Sequence, residues 1–472
     1  MTQASSRPVV EGIGSMPPLV GDKGTARDES RFFAREGVPP LSHAFARKIA
    51  VHPGLGGGRV APEEMGSFMD SLLDQEHKGR SVAYIHVPFC RTHCLFCGFY
   101  KKKYHKDESR LYTNAVIAEM ELWRGRKTLE SGPVHALYLG GGTPTELEPE
   151  DILRLLKAAR RILPLANDCE ITVEGRLSNF DARKMEACLE GGANRFSLGV
   201  QSFHTDIRRA MGRLGTREEM VRGLEQLLAY GHAAVIVDLI YGFPGQTIER
   251  WREDIAVAQS LKLDGADCYQ LNVYKDSPLG QGIERGNITP AADLPQQSAM
   301  FAAGVEAMTQ AFYRRLSISH WARTPRERNL YNLYAKGDAH CLAFGPGAGG
   351  NVQGVFYINN GDYTAWMQAV QSGVKPWVMA VRPRPRHALF KALAEGMEQG
   401  GLDLADLEKN FGVPVQDSCQ PLLRQWHDVG LVNWEEGRLV LTLAGQFWQV
   451  NLSQLLQEYL EMQLENAEHE TA

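Results

Sequence analysis

"YIHVPFCRTHCLFCGFYKKK", residues 84 to 103, decides the fold. An apolar, β-branched run leads directly into three cysteines, Cys90, Cys94 and Cys97. The run reads as a strand, and the cysteines as the loop that follows it. A structural zinc site takes four ligands, and disulfides consume cysteines in pairs. Three thiolates spaced C-x3-C-x2-C instead suit a four-iron cluster in which one iron keeps no protein ligand. That iron can take the amino and carboxylate groups of a small molecule. Spacing alone leaves two other readings: a Cys3His zinc site completed by His86 or His93, and three core cysteines.

The pattern begun at residue 82 repeats. Apolar runs recur at 82–89, 134–141, 169–175, 194–202, 234–243 and 266–274, separated by stretches of helical period. "EPEDILRLLKAARRIL" places Ile152, Leu155, Leu156, Ala159, Ile162 and Leu163 on one helical face. "TREEMVRGLEQLLAYG" does the same with Met220, Leu224, Leu227 and Leu228, and ends in a glycine suited to a helix C-terminus. Near-continuous apolar strands alternating with helices predict a parallel sheet. Six β–α units fall two short of a closed eight-unit barrel. The fold class is therefore α/β, a partial (β/α)6 barrel with one side open. "RRLSISHWAR" (314–323) is a further candidate strand. Around the barrel (81–325) the sequence predicts an N-terminal arm with short helices (1–80) and a connecting segment that completes the site (326–385). After "RPRPR", a winged-helix-like cap follows (386–472). The arm and cap would screen the site from solvent.

Composition narrows the function classes. Of 472 residues, 43% are hydrophobic and 23% charged, with a net charge of −5, so neither nucleic acid nor a membrane surface is an expected partner. Eight cysteines in this length do not make a secreted disulfide scaffold, and the start lacks a signal-peptide pattern. The expectation is the cytoplasm, where thiols stay reduced. Cys169, Cys188, Cys268, Cys341 and Cys419 are isolated and read as core residues.

Five stretches, "YIHVPFC", "YLGGGTPT", "SLGVQSF", "VDLIYGFPGQT" and "AFGPGAGG", fall in the order found in radical S-adenosylmethionine (SAM) enzymes. The chain resembles that family from about residue 82 to about 350, within the branch that contains oxygen-independent coproporphyrinogen III dehydrogenase. The resemblance implies a [4Fe–4S] cluster on Cys90, Cys94 and Cys97 that reduces SAM to methionine and a 5′-deoxyadenosyl radical. It implies one or two SAM molecules, with Tyr84, Phe96, Gly141, Gly142, Thr143, Glu174, Gln201, Arg213, Asp238 and Gly349 around them. Glycines there let the backbone approach a ligand, and an arginine can pair with the SAM carboxylate.

The form "FCRTHCLFCGFYKKK" separates the branches. The coproporphyrinogen enzymes carry another cysteine two residues after the cluster, where this chain has Phe99. The heme-chaperone branch reads "PYCDF" where this chain reads "LFCGFY". The stretch resembles a third branch, the anaerobic heme-degrading radical SAM methyltransferases. That resemblance implies heme as substrate, opened at a meso carbon with methyl transfer, release of iron and formation of a linear tetrapyrrole. Oxidative decarboxylation of coproporphyrinogen III and non-enzymatic heme carriage are the alternatives. Reduced flavodoxin is the expected electron donor, drawn by Lys101, Lys102 and Lys103. His320 and His340 are the candidates to touch heme, and Arg323, Arg328 and Lys336 to take its propionates.

Overall fold

The computed structural model describes residues 29–49, 57–435 and 437–471. Six parallel strands arise where the apolar runs predict them: β1 (Ser81–Val87), β2 (Val134–Gly141), β3 (Leu165–Gly175), β4 (Arg195–Gln201), β5 (Ala234–Tyr241) and β6 (Gly265–Gln270). The run at 314–323 adds β7 (Arg314–Arg315) and β8 (His320–Ala322), the latter antiparallel to β6. The connecting segment does more than connect. It supplies β9 (His340–Phe344), β10 (Gly349–Val352), β11 (Val355–Asn359) and β12 (Trp377–Val381). β9 lies parallel to β1 on its free edge, so seven parallel strands rather than six form the curved wall. The twelve-stranded sheet runs β12-β11-β10-β9-β1-β2-β3-β4-β5-β6-β8-β7 and does not close on itself.

The crossover helices cover the outer face. In α1 (Pro149–Ile162), Ile152, Leu155, Leu156, Ala159 and Ile162 are all buried, and Leu163 follows them into the core. Each large apolar side chain buried this way contributes at most about 1.5–3 kcal/mol. In α2 (Arg217–Ala229), Met220, Leu224 and Leu227 are buried, and Thr216 with Glu219 forms a reciprocal N-terminal cap.

The inner face carries many polar side chains. Strand alternation aims Tyr84, Tyr138, Thr172, Glu174, Arg195, Ser197, Asp238 and Asp267 inward. A short helix, α3 (Leu330–Lys336), plugs the N-terminal end of the strands; the Tyr331 ring lies 4.7 Å from that of Tyr138. Above the plug, Arg195 donates from Nε to both oxygens of Glu327 at 3.1 and 3.0 Å. His320 bridges Asp267 through Nδ1 (2.6 Å) and Glu327 through Nε2 (2.9 Å). Charges this deep are tolerated because each meets an opposite charge.

The C-terminal unit runs α4 (His387–Gln399), a strand at Gly401–Asp403, α5 (Leu404–Phe411), α6 (Val415–Asp428), a hairpin over Val432–Glu435 and Arg438–Leu441, and α7 (Gln449–Thr471). Helix, strand, two helices and a hairpin give the winged-helix-like order that the sequence predicts. Residues 29–49 of the N-terminal arm dock on this unit, whereas Val60 N donates to Ala380 O and Thr128 Oγ1 to Leu72 O, tying 57–80 to the barrel side. Trp426 Nε1 donates to Phe32 O at 3.2 Å, Trp448 Nε1 donates to Pro40 O at 2.9 Å, and Phe32 meets Tyr459 edge-on at 5.3 Å. The rest of the expected arm, 1–28 and 50–56, lies outside the described residues.

Candidate active site

The cysteine loop is closed at its base by backbone bonds. Phe89–Cys90 pairs in parallel with Lys102–Lys103, and Tyr104 N donates to Cys90 O at 3.0 Å. At its tip, Leu95 N donates to Met211 O (3.2 Å), and Leu95 O accepts from Leu279 N (2.9 Å). Phe96 packs on Phe243, ring to ring at 5.3 Å, in a small apolar cluster with Ile207, Met211, Leu271 and Leu279. Phe96 thus anchors the loop over the C-terminal ends of the strands, where barrel enzymes hold their chemistry.

Every cysteine sulfur has a donor. Thr143 Oγ1 is 3.4 Å and Arg176 Nη2 3.6 Å from Cys90 Sγ. Arg213 Nη1 is 3.2 Å from Cys94 Sγ, and the Phe99 backbone N–H donates to Cys97 Sγ at 3.3 Å. Burial pushes the Cys90 and Cys97 thiols up; Arg176 and these hydrogen bonds work the other way. None of the three is in a disulfide. Two guanidinium groups and three free thiols that each meet a donor fit an anionic iron–sulfur cluster, whose sulfur ligands ordinarily accept such bonds. Among the described residues no three His, Cys, Asp or Glu side chains converge as ligands of a single ion would. His93 stacks on Tyr100 at 4.3 Å, with Nε2 3.3 Å from Cys97 O, so it braces the loop.

Beside the cysteines, the "GGGTPT" turn ends β2. Gly141 adopts φ +107°, and a Cβ on it would sit 2.6 Å from the His86 ring. A Cβ on Gly142 would sit 2.5 Å from Phe89 O. No side chain fits at either place, so the turn lies flat against the cysteine loop. Glu174 ends β3 facing this turn, its carboxyl pushed up to about 8 by burial and by Asp238. Asp238 is itself raised to about 6 by burial and Asp267, and accepts from Ser197 Oγ at 3.2 Å. Gln201 closes β4 with φ +71°, a costly conformation for a non-glycine residue.

Three buried polar atoms here have no partner: Gln201 Oε1, Arg213 Nε and His86 Nε2. Native interiors rarely leave such atoms bare. Their grouping around Gly141, Glu174 and the cysteines marks the place of a polar ligand, and amino, carboxylate and ribose groups would satisfy them. Burial and nearby Lys101 lower His86 to about 4, so its ring is neutral.

Other expected residues lie elsewhere. Tyr84 faces the barrel interior one pleat below His86, its hydroxyl 3.0 Å from His86 Nδ1. Gly349 opens β10 across β9 from β1, and a Cβ there would meet the Phe356 ring first, at 3.4 Å. The three substrate candidates do not reach the site. His320 is sealed in the barrel floor with both ring nitrogens engaged. His340 begins β9, at the end of the sheet opposite the cysteines, and stacks on His77 at 4.0 Å. Arg323 donates to Leu263 O and Lys262 O, just before β6 begins. Arg328 pairs with Asp168 and Lys336 with Glu398, also at that lower end. Arg176 and His86, by contrast, belong to the site. Arg176 follows "TVEG" by one residue, and a basic residue just after a strand-end carboxylate was the available signal.

A model of the radical SAM superfamily matches residues 84–258, and one of the HemN C-terminal domain matches 384–448. Anaerobilin synthase of Escherichia coli O157:H7 is 40% identical over 437 residues, covering 92% of this chain and 96% of that protein. The chain belongs to the radical SAM superfamily. Among its relatives, heme chaperone HemW of Bacillus subtilis is 25% identical over 77% of this chain and 96% of its own length. The solved coproporphyrinogen III oxidase of Escherichia coli, a radical SAM enzyme, shares the fold with a TM-score of 0.71. It is 22% identical and covers 83% of this chain and 92% of its own. The cofactors of a radical SAM protein are a [4Fe–4S] cluster and SAM. Cys90, Cys94 and Cys97 would hold the first, and the bare polar atoms around Gly141 and Glu174 would suit the second.

Proposed function

We propose that this chain is a heme-opening enzyme of the anaerobilin synthase type, which cleaves the macrocycle with methyl transfer and releases iron and a linear tetrapyrrole. The observation that carries this reading is the 40% identity to anaerobilin synthase across nearly the full length of both chains. The heme chaperones and coproporphyrinogen oxidases reach 25–31%. Phe99, where the coproporphyrinogen branch has a further cysteine, points the same way.

When bound, the cluster supplies the single electron that splits SAM into methionine and a 5′-deoxyadenosyl radical. The chain itself positions and shields. Arg176 and Arg213 offset charge on the sulfurs, and Gly141 and Gly142 let the end of β2 pack directly against His86 and Phe89 beside the cysteines. Glu174 and Asp238 offer acceptors to the ligand, and the α3 plug closes the far end of the barrel to water. Reduced flavodoxin or a similar acidic protein is the proposed reductant, acting in the cytoplasm. Lys102 is held by Glu108 at 2.6 Å and Lys101 acts on His86, which leaves Lys103 on the outer side of the loop for that partner. No helix among the described residues is long and apolar enough to cross a membrane.

The test is anaerobic incubation with SAM, a reductant and either heme or coproporphyrinogen III, followed by mass spectrometry of the tetrapyrrole. A methylated, iron-free linear product from heme is expected. Intact heme, or loss of carbon dioxide from coproporphyrinogen III, would overturn the reading.

A further inference from the structure

Large apolar side chains are exposed at scattered points of the surface, but at the mouth of the barrel they gather. Phe99, in the cysteine loop, is 71% exposed. In the segment that leaves β6, Tyr269, Val273 and Tyr274 are 40%, 41% and 43% exposed. The two segments are neighbours. Leu279 N donates to Leu95 O, and a Cβ on Gly98 would lie 4.0 Å from Tyr274 Cε2. Tyr269 shares the inward-facing register of Asp267, and β6 pairs it with Ile240, two residues beyond Asp238. An apolar wall thus rises from the site outward, ending at Phe99 and Tyr274. Exposed apolar groups gathered this way mark a binding surface.

Two unpaired lysines flank that wall. Lys275 follows Tyr274, and Lys101 lies two residues past Phe99; both are exposed, and neither has an acidic partner among the described residues. The nearest acid in the sequence is the exposed Asp276. Flat aromatic surface beside a cationic edge is complementary to a planar ligand with an apolar body and carboxylates on one side.

We propose that Phe99, Val273 and Tyr274 seat the face of a planar tetrapyrrole dicarboxylate, with Lys101 and Lys275 at its carboxylate edge and the opposite edge directed over Tyr269 into the barrel. The proposal rests on the heme reading above and names the residues that hold the ring. It replaces His320, His340 and Arg323, which the fold places at the other end or in the floor.

The full-length protein, reconstituted with its cluster under argon, is titrated with heme by Soret absorbance. Phe99→Asp and Tyr274→Asp each weaken heme binding at least tenfold, while Tyr274→Phe retains wild-type affinity. Lys101→Glu with Lys275→Glu weakens heme but not its dimethyl ester. Phe312→Ala, a change at a 92% exposed ring outside the wall, leaves heme affinity unchanged. Iron content stays at wild-type level in every variant, and SAM binding in the Phe99, Tyr274 and Phe312 variants, which separates a lost seat from a lost fold. Wild-type heme affinity in both aspartate variants would overturn the seat and leave the heme reading standing. Absence of heme binding by the wild type would overturn both.

Discussion

Replacing His320 with glutamine tests the barrel floor. His320 is 1% exposed and lies between Asp267 and Glu327, with Arg195 on the far side of Glu327. Burial opposes its charge, but the two carboxylates more than offset that and raise it from 6.5 to about 9. Moving a histidine that far is worth about 3 kcal/mol of folding stability. Because the folded value is the higher, the contribution is complete below about pH 6.5 and is lost as pH rises through about 9. At about 2 °C per kcal/mol for a unit of this size, His320→Gln should melt about 6 °C below wild type at pH 6.5. The gap should close by about pH 10, where His320 is neutral in both states. Thermal melts followed by circular dichroism under argon, from pH 6 to pH 10, give both curves. Glu174 titrates in both proteins and cancels in the difference, whereas Asp238, which the His320 charge lowers, does not, so the gap is read from above about pH 7. A gap that stays constant across this range would refute the claim that His320 is held as a cation.

Arg195→Met leaves Glu327 and Glu170 buried with less positive charge and should cost about 3–5 kcal/mol, read as a lower melting temperature or lost soluble yield. Gly142→Ala drives a Cβ into Phe89 O and forces the base of the cysteine loop away from the glycine turn, and iron and sulfide per chain should fall below half of wild type after reconstitution. Arg176→Leu removes the donor to Cys90 and two bonds to Thr92. A charge-assisted bond of about 1.5–3 kcal/mol corresponds to roughly 10–100-fold faster cluster loss to a chelator, followed by visible absorbance.

The strand and helix pattern was legible because each crossover keeps its period within about ten to fifteen residues. The seventh parallel strand was not. "HCLAF" pairs with β1 across more than 250 residues of chain, and nothing local tells such a run from a connector. That the cysteines, the glycine turn and Glu174 share one end of the barrel was legible because they sit at or just past strand ends in the chain direction that a parallel barrel fixes. That same rule would have removed His340, which opens its strand, and Arg323, which follows a strand running the opposite way. Phe99, Val273 and Tyr274 form a surface only in three dimensions, and composition gave no hint that they meet.

The central claim is that three cysteines hold a cluster able to reduce SAM. The direct measurement is 5′-deoxyadenosine and methionine, quantified by chromatography after reductant is added to the reconstituted protein with SAM under argon. The account predicts both products from the wild type and neither from Cys90→Ser, Cys94→Ser or Cys97→Ser. A wild-type protein carrying full iron and sulfide that forms neither, or serine variants that form as much, would contradict it.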